Sequence, residues 1–296
     1  VTRSLVVQSI LYGNEADGIV RAAEATAHAA SMARTADLVG EWSLAIGDCS
    51  EVPVLSEANL KVIGGYVERA GGVFVHEVFG ENLGHGGGHN RLAKSTSSEL
   101  LLILNPDALL GPDTISALVN TVVDGVALSD GRQLPLEHPK DYDPVTGDES
   151  WASGACSMTL RSVFDEVGGF DHDTFFMYCD DVDYSWRVKL AGYRVAYQPG
   201  ARVFHDKRLT VDGDIIPSAA EVYFSAEAAV LLAHKYSRSD ISDRILDSFR
   251  GNPDETYQKV VRVFEERRSS GKLPVQIDSK HRVGQFINGN YARHRY

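Results

Sequence analysis

Short apolar runs alternate with segments of helical periodicity through the first hundred residues, and this rhythm narrows the choice of fold more than any other feature. Ser4–Leu11 reads as a buried strand closed by the turn Tyr12-Gly13-Asn14, and the Ala-rich Glu15–Arg34 carries apolar residues at helical spacing. Trp42–Ile46 is a second strand ending at Gly47-Asp48-Cys49-Ser50. A helix over Glu57–Arg69 stops at Gly71-Gly72, and Val73–Val78 is a third strand. A Gly-rich loop then leads to a helix expected over Asn90–Ser97 and to the strongly apolar strand Leu100–Leu104. Such alternation builds a parallel sheet from βαβ units, with ligands bound beyond the carboxyl ends of the strands. Asp48 and the cluster Asn105-Pro106-Asp107 stand at two such ends.

The pattern changes near Asp124. Ser129–Ser150, rich in Asp, Gly and Pro, reads as a loop, and Trp151–Leu160 as a further strand. After a turn at Gly168-Gly169, the acids Asp180, Asp181 and Asp183 open a helix that runs to Ala191. Tyr193–Tyr197 and Arg202–Phe204 are two short strands. Ser218–Tyr236 is a helix entered at Pro217, and Asp240–Phe249 and Glu255–Arg268 are amphipathic helices.

Composition excludes several classes. Of the 296 residues 43% are hydrophobic and 24% charged, as in a globular chain. The longest apolar runs, Leu100–Leu104 and Ala228–Ala233, fall far short of a membrane span. The first run is broken by Gln8 and Ser9 and is not expected to act as a signal peptide. Cys49, Cys156 and Cys179 form no CxxC pair, so a reducing, cytoplasmic setting is expected. A net charge of −12 argues against nucleic acid as a partner. It also means that any bound diphosphate needs a cation to neutralise it. From Arg267 onward seven Lys/Arg face one Asp, a basic tail that is either a solvated end or a contact for an anionic membrane surface or a second subunit.

Asn105-Pro106-Asp107 places a carboxylate at the sheet edge, where a hard cation with oxygen ligands can be held, although the same tripeptide is an ordinary turn. Asp180, Asp181 and Asp183 follow the aromatic run Phe175-Phe176-Met177-Tyr178. One or two acids there would cap a helix, whereas three exceed that need, and one set against apolar rings suits general-base work. His205, with Asp206 beside it, follows a strand and is a structural histidine or a metal ligand. Asn82-Leu83-Gly84-His85-Gly86-Gly87-Gly88-His89-Asn90 matches neither GxGxxG nor GxxxxGK[ST], which leaves a loop open to close ligand approach.

In order along the chain, Gly47-Asp48-Cys49-Ser50, Asn82-Leu83-Gly84, Leu104-Asn105-Pro106-Asp107, Gly154-Ala155, Val167-Gly168-Gly169-Phe170-Asp171, Phe176–Asp183, Ala191-Gly192-Tyr193, Pro199, Ala201-Arg202-Val203 and His205 resemble the family 2 glycosyltransferases, in particular their bacterial rhamnosyltransferase-like branch. The resemblance implies an α/β GT-A fold, a Rossmann-like, mostly parallel sheet flanked by helices. Residues 1–236 would form this domain, with 1–124 as its nucleotide-binding half and 125–236 as its acceptor and catalytic half. Residues 237–296 would be a helical C-terminal extension with the basic tail, a route to homo-oligomer or membrane-surface contact at the inner face of the membrane.

The same resemblance implies roles. Asp48 would hydrogen-bond the pyrimidine edge of the donor with Tyr12 packed nearby, and Asn82 and Gly84 would belong to the donor side. Asp107 matches the last acid of the family's DxD motif and, with His205, would hold a divalent metal, Mn²⁺ or Mg²⁺; Asn105 replaces the first acid. Asp181 matches the catalytic base of an acidic pair whose first member, usually Glu, is Asp180 here. Trp151, Ser153 and Gly154 would line the donor-sugar and acceptor side. The implied activity is inverting transfer of a sugar, dTDP-rhamnose being the favoured donor, from a nucleotide diphosphate to a hydroxyl of a glycan, lipid-linked or small-molecule acceptor. A sugar-nucleotide nucleotidyltransferase would carry a Gly-rich loop with Arg and Lys after the first strand, where Tyr12-Gly13-Asn14-Glu15 stands instead. A catalytically silent sugar- or nucleotide-binding protein, or an α/β domain whose acids are all caps, are the other readings.

Overall fold

Alternating side-chain direction along two central strands decides how the chain packs. In the computed structural model, which describes residues 2–137, 141–205 and 217–292, the elements run β1 (Arg3–Leu11), α1 (Ala16–Thr35), β2 (Val39–Asp48), α2 (Glu57–Arg69), β3 (Val73–Val78), α3 (Gly84–Lys94), β4 (Leu100–Leu104), β5 (Ala108–Leu110), α4 (Thr114–Thr121), β6 (Val126–Leu134), β7 (Cys156–Leu160), α5 (Arg161–Glu166), α6 (Asp180–Leu190), β8 (Arg194–His205), α7 (Ala219–Lys235), α8 (Ser239–Arg250) and α9 (Glu255–Ser269). Leu5 and Val7 of β1, with Leu100, Leu102 and Leu104 of β4, face a core closed by α1, α2 and α4. Val6, Leu101 and Ile103 point the other way, into a core closed by α3, α5 and α6. Period-2 strands buried on both faces therefore yield helix, sheet and helix layers.

The sheet order is β3-β2-β1-β4-β7-β6-β8-β5. β1, β2, β3 and β4 are mutually parallel, β7 is antiparallel to β4 and β6, and β8 is parallel to β6. The carboxyl ends of β1, β2, β3, β4, β6 and β8 thus share one edge, where β7 begins. The order reverses between β1 and β4, the switch point beside which a ligand crevice opens. Ser9 Oγ donates to the Leu104 carbonyl at 2.9 Å across that point.

A third core joins Trp151, Phe175 and Trp186 to Leu231 of α7 and Tyr236 at its C-cap, Leu246 of α8 and Phe264 of α9. Asp183, fully buried on α6, binds Arg187 at 2.8 Å and Lys235 of α7 at 2.5 Å, and the Tyr236 hydroxyl donates to its Oδ1 at 3.2 Å. A buried carboxylate needs such partners, and these fasten α7 to α6. Among the described residues no helix is long and apolar enough to cross a membrane.

Four local expectations are corrected. The Gly-rich segment is the first half of α3, which ends at Lys94 instead of spanning Asn90–Ser97. Three consecutive glycines disfavour a helix, but a Cβ on Gly86 would lie 2.7 Å from Phe170, and one on Gly88 2.9 Å from Ile10, so close packing overrides propensity. Residues 129–134, expected as loop, continue β6, whose polar Ser129, Asp130 and Gln133 are buried. The strand expected over Trp151–Leu160 begins at Cys156. Tyr193–Tyr197 and Arg202–Phe204 are one strand, β8, with a register shift where Pro199 and Gly200 interrupt its pairing with β6.

Candidate donor and catalytic site

Backbone strain fixes where the acidic helix starts. Tyr178 (φ 66°) and Cys179 (φ 57°) are both in the left-handed region, and α6 begins directly after them. Two such non-glycine residues in sequence persist where the surroundings enforce them, as happens at functional sites. The turn delivers three acids to three different environments. Asp183 faces inward, as described. Asp180, buried, sets Oδ2 2.6 Å from Nδ1 of His85 on α3. Asp181 is partly exposed; its Oδ2 accepts from the Gly154 N–H at 3.0 Å and its Oδ1 from the Val182 N–H at 2.8 Å. The N-cap residue, Cys179, makes no side-chain cap hydrogen bond to the helix. Burial, then the neighbouring Asp180, raises the Asp181 carboxyl above the usual range, against the lowering pull of the Gly154 N–H and His85.

The segment 153–155 brackets this acid to the sheet edge. The Asn105 N–H donates to the Ala155 carbonyl at 3.0 Å. Ser153 Oγ accepts from Gln133 Nε2 at 2.9 Å, and Gln133 Oε1 lies 3.1 Å from Nδ1 of His205. The proton between Gln133 and His205 therefore resides on Nδ1, leaving a lone pair on Nε2. Asn105 Nδ2 lies 3.2 Å from that nitrogen, and Asp107 Oδ1 faces it at 3.4 Å. Two lone-pair donors converging across this gap are what a divalent cation resolves; the carboxylate suits Mn²⁺ or Mg²⁺, whereas imidazole suits softer divalent metals. No group of three or more His, Cys, Asp and Glu in metal-binding range occurs among the described residues. Asp107 and His205, with Asn105 beside them, are the residues that could hold a cation there, its remaining positions then left to water or ligand oxygens.

Donor-side residues divide. Tyr12 is 63% exposed at the end of β1, and the adjoining Gly13 N–H donates to Ser50 Oγ at 3.0 Å. Asp48 is fully buried, and its two oxygens accept from the N–H groups of Ser50 (2.9 Å) and Val54 (2.7 Å). Its carboxylate shapes the 49–54 loop beside Tyr12, at the carboxyl end of β2 where the pyrimidine edge is expected. Asn82 Oδ1 accepts from the Gly84 N–H at 3.1 Å and starts α3. Gly84 has φ +69°, and a Cβ there would lie 2.3 Å from the Phe176 carbonyl oxygen. Both hold α3 against the approach to α6. Trp151 is 6% exposed and edge-on to Tyr291 at 5.5 Å, and its bulk supports the bracket from the third core. Asp206 lies outside the described residues.

The structure adds Gln133 and His85 to the site. Gln133 and His85 went unrecognised in the sequence because their partners stand 72 and 95 residues away. The rejected phosphate-loop match at 84–90 was the one available pointer to His85.

No sequence-family profile matches the chain. It is 26% identical to the N-acetylglucosaminyl-diphospho-decaprenol L-rhamnosyltransferase of Mycobacterium tuberculosis over 53% of this chain and 66% of that protein. It is 40% identical to the rhamnosyltransferase WbbL of Escherichia coli over 19% of this chain and 20% of that one. The mannosyltransferase PcManGT of Pyrobaculum calidifontis, solved with GDP-Man and Mn²⁺, superposes with a TM-score of 0.51 at 14% identity, covering 92% of this chain and 84% of its own. The chain has the GT-A fold of glycosyltransferases, and its sequence is similar to rhamnosyltransferases. A structure of GalNAc-T7 with UDP, GalNAc and Mn²⁺ shares that fold at a TM-score of 0.56 and 10% identity, over 93% of this chain and 56% of its own. The chain spans 66% of the length of its mycobacterial relative, just under two thirds.

Proposed function

We propose that the chain is an inverting glycosyltransferase that moves a sugar, rhamnose from dTDP-rhamnose as first choice, from a nucleotide diphosphate to an acceptor hydroxyl. The observation that carries this is the bracket at 153–155, which ties the Asp181 carboxylate to the Asn105, Asp107 and His205 cluster. Asp107 and His205 would hold a divalent cation that stabilises the departing diphosphate as a Lewis acid. The Gly154 N–H keeps one Asp181 oxygen oriented, and burial raises this carboxyl toward the range useful for a base at neutral pH. Asp181 takes the proton of the acceptor hydroxyl as that oxygen attacks the anomeric carbon opposite the leaving group. A single displacement inverts the configuration and needs no covalent enzyme intermediate, much as in one half of an inverting glycosidase.

Tyr12 offers its exposed ring to the nucleobase. The named substrates of the mycobacterial and E. coli relatives favour rhamnose, and the Mn²⁺ in the mannosyltransferase and GalNAc-T7 structures favours a metal. A lipid-linked or other glycan acceptor is the matching choice.

Asp181→Asn tests the reading. With dTDP-rhamnose, Mn²⁺ and an acceptor hydroxyl, turnover is expected to fall by about 10²–10⁴-fold, the range for loss of a general base, with donor affinity retained. Wild-type turnover in the variant refutes the base. A loss of stability with unchanged turnover per folded molecule makes Asp181 a cap.

A further inference from the structure

The partner of Asp180 is a histidine that the proposed mechanism does not use. His85 sits in the first turn of α3, and its Nδ1 lies 2.6 Å from Asp180 Oδ2. Its Nε2 is buried and makes no hydrogen bond of good geometry. It packs against Gly154, where an added Cβ would stand 2.9 Å from Cε1 and 3.2 Å from Nε2 of this ring, and 3.6 Å from the Asp181 Cβ. Gly154 therefore touches both groups: its N–H donates to Asp181, and its backbone favours a proton on His85. Nδ1 faces a carboxylate, and Nε2 lies against the Gly154 backbone, which favours a second proton on the ring.

We propose that His85 is a positioning residue for the base: held as an imidazolium between Asp180 and Gly154, it cancels the charge of Asp180 and keeps the adjacent Asp181 ionised at neutral pH. This rests on the reading of Asp181 as the base. The charged groups around the pair are few. Asp180 and Asp181 on α6 and His89 on α3 face His85, while Asp180 and His85 face Asp181. His89, 4.6 Å away edge-to-face, is held neutral by burial and by His85, so it adds no competing charge. Burial disfavours the charged His85 ring, yet Asp180, with smaller help from Asp181 and Gly154, raises it above its ordinary range. Two adjacent carboxylates would otherwise resist double ionisation at a half-buried helix start. The short Asp180 side chain and the Gly-rich turn of α3 make room for the ring that relieves them.

The test reads the two groups directly in the full chain by NMR. Ring-nitrogen signals of wild-type protein, assigned by their loss in His85→Gln, are expected to show His85 doubly protonated at pH 7. The side-chain carboxyl carbon of Asp181 is then titrated. In His85→Gln its midpoint is expected to rise by about 1–3 pH units, the usual effect of losing a close opposite charge. Adding Asp180→Asn should bring it back toward wild type, because the uncompensated charge is gone. A neutral His85 at pH 7 in wild-type protein, which needs no variant to fold, overturns the proposal, as does an unmoved Asp181 midpoint in His85→Gln. Either result leaves Asp181 as the base if Asp181→Asn is inactive. Full turnover in Asp181→Asn ends the base reading instead, whatever the titrations show.

Discussion

Asp183 is the acid of α6 with the deepest burial, and it is the one that chemistry does not need. Arg187, Lys235 and Tyr236 consume it, Asp180 goes to His85, and Asp181 is left at the edge of the bracket. The sequence separates these roles poorly because three carboxylates within four positions look alike until burial is known. Asp107 and His205 were legible as a pair, and they do converge, at 3.4 Å. Asp48 was legible as a strand-end acid but not as a loop support, since nothing local announces that the Val54 N–H folds back onto it. Gln133 is a sharper case, a 1% exposed amide on β6 that fixes which nitrogen of His205 carries the proton. Partners behind a ligating histidine typically account for 10–100-fold in metal affinity. Gln133→Leu is therefore expected to weaken Mn²⁺ binding by about 10–100-fold, measured by electron paramagnetic resonance of free Mn²⁺, with the fold retained. Unchanged affinity would remove Gln133 from the site.

At the scale of elements, helix α2 and strands β3 and β4 fall where periodicity puts them because their cores are purely local patterns. α3 does not, because its glycines are chosen for contacts with Ile10 on β1 and with Phe170 and Phe176 near α6. Distant residues decide that helix. Gly84 meets two demands at once, a positive φ and an approach of 2.3 Å between a would-be Cβ and the Phe176 carbonyl oxygen. Gly84→Ala is expected to cost about 1–3 kcal/mol, which in a chain of this size lowers Tm by several degrees. Because His85 follows directly, turnover should fall as well. A thermal melt matching wild type would show that the α3 start tolerates a side chain. β6 and β8 differ from their sequence patterns for a related reason: Ser129, Asp130 and Gln133 are polar, and Gly131, Pro199 and Gly200 imitate a loop in sequence.

For the whole molecule, six strands running one way bring Tyr12, Asn105, Gln133 and His205 to a single edge, and the reversed β7 returns the chain there through 153–155. The first half of this topology was visible as βαβ rhythm. The insertion of β7 between β4 and β6 was not, since strand order depends on pairings between residues 100–104 and 156–160 that no local pattern encodes. The extension closes a third core over Trp151 and Trp186, so it supports the bracket from behind. A net charge of −12 sets the electrostatic problem for any diphosphate ligand, and the Asp107–His205 pair is the place where a cation would answer it. Calorimetric titration with dTDP, UDP and GDP, each with and without Mn²⁺, on wild type and Asp107→Asn tests that claim most directly. The account predicts that one nucleotide binds wild type tightly with Mn²⁺ and weakly without it, and that Asp107→Asn abolishes the difference. Binding indifferent to Mn²⁺, or no binding of any nucleotide, would contradict it.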